Sequence, residues 1–116
     1  MTRALVLATL VAAAASCKPG DAAPACGAVA GNFILIATRD IDAAKVDGDT
    51  RRAVREQLPA MRDALDHACS DNAWSQGVRT CLFEARDSRT FQACETQLTE
   101  AQRRELERLE AGKKSE

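Results

Sequence analysis

Residues 50–68, TRRAVREQLPAMRDALDHA, decide how the rest of the chain is read. Val54, Leu58, Met61, Leu65 and Ala68 step through this stretch by 4, 3, 4 and 3, the spacing of one apolar helix face. Pro59 falls inside the pattern; without an amide hydrogen it is expected to kink the helix or split it after one and a half turns. On the N-terminal side, Cys26, Val29, Phe33, Ile36 and Ala37 share a face of a helix expected from Pro24 to about Lys45. On the C-terminal side, a turn at Ser70-Asp71-Asn72 leads to a short third helix marked by Trp74, Val78, Cys81, Leu82 and Ala85. Asp87-Ser88 closes that helix and caps a fourth, whose stripe is Phe91, Cys94 and Leu98. Thr99-Glu100-Ala101-Gln102 has the form of a capping box and opens a fifth helix to Ala111, with Gly112 in the position after its end.

No stretch alternates apolar and polar residues over strand length. Asp47-Gly48 is the one hairpin-type dipeptide, and its flanks are rich in alanine and arginine. The fold expected is therefore all-α: a small disulfide-stapled bundle of about five helices, built as two αα-hairpins plus a C-terminal helix.

The cysteine spacings support the same layout. Antiparallel helices joined by a turn bring together residues equidistant from that turn. Cys26 and Cys69 are centred between Asp47 and Gly48, and Cys81 and Cys94 between Asp87 and Ser88. Of the three connectivities open to four cysteines, this geometry selects Cys26–Cys69 and Cys81–Cys94.

The whole chain is 116 residues with net charge −1, which allows one small domain and lacks the basic footprint of a nucleic-acid binder. Apolar content of 46% is too high for a disordered chain. Much of it is alanine, and the aromatic residues are only Phe33, Trp74, Phe83 and Phe91, so the core is expected to be thin. Met1-Thr2-Arg3 and the apolar run Ala4 to Ala15 have the order of a secretory n-region and h-region. Twelve helical residues cover about 18 Å, too short for the hydrocarbon core of a bilayer.

Ala14-Ala15-Ser16-Cys17 resembles the lipobox of bacterial lipoproteins, although that family prefers leucine where Ala14 stands. Cleavage after Ala15 by ordinary signal peptidase is the competing reading. Lipidation of Cys17 leaves an even four cysteines, and the residues that follow it, Lys-Pro-Gly-Asp-Ala-Ala-Pro, read as a tether. The resemblance implies a diacylglyceryl thioether on Cys17. With Lys18 and not aspartate after it, the implied location is the outer membrane facing the periplasm. The expected organisation is a signal peptide over 1–16, a lipidated cysteine and tether over 17–24, a helical domain over 25–111 and a flexible tail over 112–116.

Candidate chemistry is sparse. The cysteines have none of the close spacing of redox pairs and read as structural in an oxidising compartment. His67 has Asp63 and Asp71 four residues to either side, but a single imidazole with two carboxylates is a poor zinc or copper site, so a surface role is expected. No nucleophile, base and acid can be matched, so an enzyme is not expected, nor a metal or other cofactor. Leu98-Thr99-Glu100-Ala101-Gln102 is similar to the LTxxQ motif of Spy-like periplasmic chaperones, a family that carries two such motifs where this chain has one. That likeness implies a stress chaperone or sensor as the alternative function. Phe33-Ile34-Leu35-Ile36 is apolar all round, which means either a central helix or an exposed binding patch. Phe33, Trp74, Leu106 and Leu109 are the candidates for an interaction surface.

Taken whole, the pattern resembles small four-cysteine helical envelope lipoproteins of Gram-negative bacteria. The resemblance implies a location and a fold, but no activity. The expectation is a non-catalytic module anchored to the membrane by lipid, with an unidentified envelope protein as partner.

Overall fold

The computed structural model describes residues 23–114. The residues expected to form the signal peptide, the lipobox with Cys17 and most of the tether lie outside the described residues. Five helices follow in order: α1 Cys26–Ala43, α2 Gly48–Asp71, α3 Gln76–Glu84, α4 Ser88–Glu95 and α5 Glu100–Lys114. Among the described residues there is no strand, and the fold is the stapled all-α bundle expected from the periodicity. Helix α1 packs on α2, α3 and α4; α2 also packs on α5, and α3 on α4.

Four of the five helices start where a side chain satisfies an orphan amide; α1 follows Ala25 and has no side-chain cap. Asp47 accepts from Thr50 N at 2.8 Å, Ser75 from Val78 N at 3.2 Å and Asp87 from Thr90 N at 2.7 Å. The capping box of α5 is formed in both directions: Gln102 N donates to Thr99 Oγ1 at 3.1 Å and Thr99 N to Gln102 Oε1 at 3.0 Å. Helix α2 ends in a different way. Ala73 has φ 48°, the left-handed conformation that glycine usually supplies, and Trp74 N donates to Cys69 O at 3.3 Å across the turn. The turn therefore sits at Asn72-Ala73, past the expected Ser70-Asp71-Asn72.

Two further expectations are narrowed or corrected. Helix α2 is not split at Pro59 but runs continuously from Gly48 to Asp71. Pro59 and Arg55 both lie on the exposed side, so the Arg55 carbonyl, which loses its amide partner, is open to water. Helix α5 continues through Gly112 to Lys114, so Gly112 is not its stop and residues 112–114 of the expected tail are helical. Gly112 has no positive φ, which is what a stop of that kind requires. Leu98 belongs to the α4–α5 turn, yet is buried as its stripe position requires.

The core is a single cluster. Val29, Ala30 and Ile36 of α1 meet Leu65, Ala68 and Cys69 of α2, Trp74, Val78 and Leu82, and Phe91, Cys94, Leu98 and Leu106 from the C-terminal half. From Ala37 to Gln57 no residue is buried. That end of the α1–α2 hairpin is held by polar ties. Arg51 donates to the carbonyls of Ala44 at 3.0 Å and Ile41 at 3.3 Å, and Arg55 pairs with Asp42.

Candidate functional site

The covalent frame comes first, because it fixes the helices that any site must use. Cys26 bonds Cys69 and Cys81 bonds Cys94, each with Cα atoms 5.7 Å apart. The first bridge joins the start of α1 to the end of α2, far from their connecting loop; the second ties α3 to α4. Both pairings are those given by the equidistance argument.

Polar groups lock α1 to α3. Asn32 Nδ2 donates to the carbonyls of Leu82 at 2.8 Å and Ala85 at 3.0 Å, which are orphaned at the end of α3. Arg79 donates back to the Pro24 carbonyl at 2.9 Å, just ahead of α1, and Arg39 to the Arg86 carbonyl at 2.8 Å. None of the three stood out in the sequence. The available signal for Asn32 was a polar side chain between Val29 and Phe33 on an otherwise apolar face.

The Phe-Ile-Leu-Ile run of α1 faces two ways. Ile36 is buried and Phe33 packs against the core, while Leu35, turned to the opposite side, is 71% exposed. Phe83 of α3 is 46% exposed because its neighbour Leu82 takes the inward position. Leu35 and Phe83 line one groove with Ala28, Gly31 and Asn32, bordered by Glu84 and Arg86. A Cβ added at Gly31 would meet no atom within 4 Å, so α1 is open along this face.

A second depression lies between α1, α2, α4 and α5. Phe33, Ile36, Met61 and Phe91 form its apolar part, with Glu95 and Glu110 at its edge. The Phe33 and Phe91 rings stand 5.8 Å apart at 49°. Burial among these groups pushes the Glu95 carboxyl up to about 7, with the charge of Glu110 a secondary cause. Glu95 was missed in the sequence, where one glutamate among seventeen acids carries no mark.

The residues nominated as an interaction surface are core residues. Trp74 is 3% exposed and Leu106 5% exposed, while Phe33 and Leu109 pack against the same cluster. They are drawn inward because each lies on the side of its helix or turn that meets the neighbouring helices. The Trp74 indole N–H is buried without a hydrogen-bond partner among the described residues. His67 is exposed, and among the described residues no group of three or more His, Cys, Asp or Glu side chains could hold a metal ion. The LTxxQ residues act within the molecule: Leu98 is buried, Thr99 and Gln102 cap α5, and Gln102 Nε2 also donates to the Asn72 carbonyl at 3.1 Å.

No described helix is long and apolar enough to cross a membrane. No protein-family description, curated protein or solved structure matches the chain.

Proposed function

We propose that the chain is a non-catalytic lipoprotein of the cell envelope, lipid-anchored at the outer membrane, whose helical domain acts as a protein-interaction or structural module. The observation that carries this reading is cysteine arithmetic. Two disulfides use Cys26, Cys69, Cys81 and Cys94, and the one cysteine left in the sequence, Cys17, stands in the lipobox. Disulfides persist in oxidising compartments such as the periplasm. A lipidated Cys17 would suspend the domain on a connection to Cys26 that spans about 30 Å when extended.

Within this reading the surface offered to an envelope protein is the Leu35/Phe83 groove, since Trp74 and Leu106 are spent on the core. Detergent phase partitioning of wild type and Cys17→Ser tests the anchor. Wild type is expected in the detergent phase and the variant in the aqueous phase; equal partitioning contradicts it. A photo-crosslinker placed at Leu35 tests the surface against one at Arg103, an exposed position on α5. A discrete adduct from Leu35 alone is expected, and matching patterns from both positions would contradict a role for the groove.

A further inference from the structure

We propose that a second copy of this chain docks in the Leu35/Phe83 groove, in a two-fold pairing that sets Glu84 of each copy against Arg86 of the other. This pairing rests on the reading above for its surface, and not for its anchor. Its first basis is exposure. Leu35 at 71% and Phe83 at 46% are the most exposed large apolar side chains among the described residues, and both line the one groove. Ala28 and Gly31 of α1 complete the apolar lining, small enough for another helix to approach closely.

The charges at the edge choose the occupant. Glu84 ends α3 and Arg86 follows it by two residues; both are exposed and both line the groove. Among the described residues neither makes an ion pair, with the other or with any third group. Arg39, in the adjoining depression beside Arg86, is by contrast engaged by Asp40 at 3.3 Å and by the Arg86 carbonyl. Asn32 has spent its amide hydrogens on Leu82 and Ala85. The groove thus keeps one acid and one base to offer outward. A small ion of either sign would meet a like charge there. A second copy brings the matching arrangement by symmetry. In a two-fold contact residue i of one copy meets residue j of the other and j meets i, so a single juxtaposition of Glu84 with Arg86 is made twice. The same operation lays Leu35 of each copy over the apolar part of the other's groove, which takes the exposed side chains out of water. Complementary charges of this kind fix register and exclude other partners more than they add affinity. The apolar contact is small, so a reversible dimer is expected.

The test is photo-crosslinking in cells that make two full-length copies of the chain with different C-terminal tags. A photoreactive phenylalanine analogue stands at Phe83 in one of them. An adduct carrying both tags, at twice the mass of the chain, is expected. Leu35→Asp in both copies is expected to reduce it about tenfold or more; Leu35 is exposed, so the fold is not at stake. Glu84→Arg in both copies, and Arg86→Glu in both copies, each oppose like charges and are expected to reduce it about fivefold. Placing Glu84→Arg in one copy and Arg86→Glu in the other restores both contacts. The adduct is then expected to return to within about twofold of wild type, which also shows that both variants fold. Charge variants equal to wild type, or no recovery in the mixed pair, would overturn the pairing. An adduct only with a different protein would overturn the second copy as occupant while leaving the groove as an interaction surface. No adduct at all would overturn both.

Discussion

The two ends of the α1–α2 hairpin are built on opposite terms. At one end Val29, Ala30, Ala64, Leu65, Ala68 and Cys69 are all buried, and the Cys26–Cys69 bridge closes the helices covalently. At the other end, from Ala37 to Gln57, nothing is buried, and Arg51, the Asp47 cap and the Arg55–Asp42 pair hold the loop. The same two helices thus carry apolar packing on one half and solvated polar ties on the other. Exposed ion pairs contribute little, so stability is expected to reside in the disulfide-closed half, with the loop end opening locally without unfolding the domain.

The strongest way to break this comparison is to remove the bridge from the buried half. Replacing Cys26 and Cys69 together by serine is expected to cost about 4 kcal/mol, the chain-entropy value for a loop of this length. Denaturant unfolding followed by the fluorescence of Trp74, the only tryptophan and a core residue, measures it. A loss below about 1 kcal/mol would mean that packing and not the bridge closes this half. Next in size is Asn32→Ala, which strands the Leu82 and Ala85 carbonyls at the α1–α3 joint; about 2 kcal/mol is expected in the same assay.

Glu95 sharpens the comparison through pH. Its carboxyl holds its proton more tightly in the folded protein, so its contribution is fully present below the ordinary value of 4.5 and is lost as pH rises through about 7. Because the group is partly open to solvent, the expected loss is discounted to about 1 kcal/mol over that window. Thermal melts across the same range should show the decline in wild type and not in Glu95→Gln.

The smallest effect is the most discriminating. Asp47 and Asp87 cap their helices with the same Asp–Thr pair, and the amide and hydroxyl of Thr50 or Thr90 hold each carboxyl below the usual carboxylate range. Each cap therefore acts above that range and is lost as pH falls through the lowered value. Yet Asp47 opens a helix whose first ten residues bury nothing, whereas α4 reaches buried Phe91 within one turn of Asp87. Asp47→Ala should speed amide exchange at the start of α2 without moving the melting temperature. Asp87→Ala should lower the melting temperature. Equal shifts from the two variants would erase the distinction between the halves.

What could be read in the sequence was whatever depends on spacing along the chain. Helix faces, the Thr99–Gln102 cap and both disulfides follow from period and symmetry about the turns, and all are present. What could not be read depends on which side of a helix meets a neighbour. Periodicity puts Phe33 on the stripe of Val29 and Ile36 and leaves Leu35 off it, but in a wholly apolar run it does not say whether another helix covers Leu35; the placement of α3 and α4 leaves it exposed. Pro59 is tolerated because its face is exposed, a property of packing and not of proline. Ala73 takes a left-handed conformation that sequence assigns to glycine, since the Trp74-to-Cys69 hydrogen bond and the burial of Trp74 demand the turn there. Glu95 gains its character from side chains on three other helices.

The most direct single measurement is a non-reduced tryptic map of the protein isolated from the cells that make it, read by mass. Cleavage at arginine separates Cys69, Cys81 and Cys94 into peptides 63–79, 80–86 and 90–103, while Cys26 remains on a peptide ending at Arg39. The expected result joins 63–79 to the peptide that ends at Arg39, with acyl mass on Cys17 at its start, and joins 80–86 to 90–103. A link between 63–79 and 80–86 would contradict the hairpin frame, and an unacylated chain beginning at Ser16 would contradict the anchor.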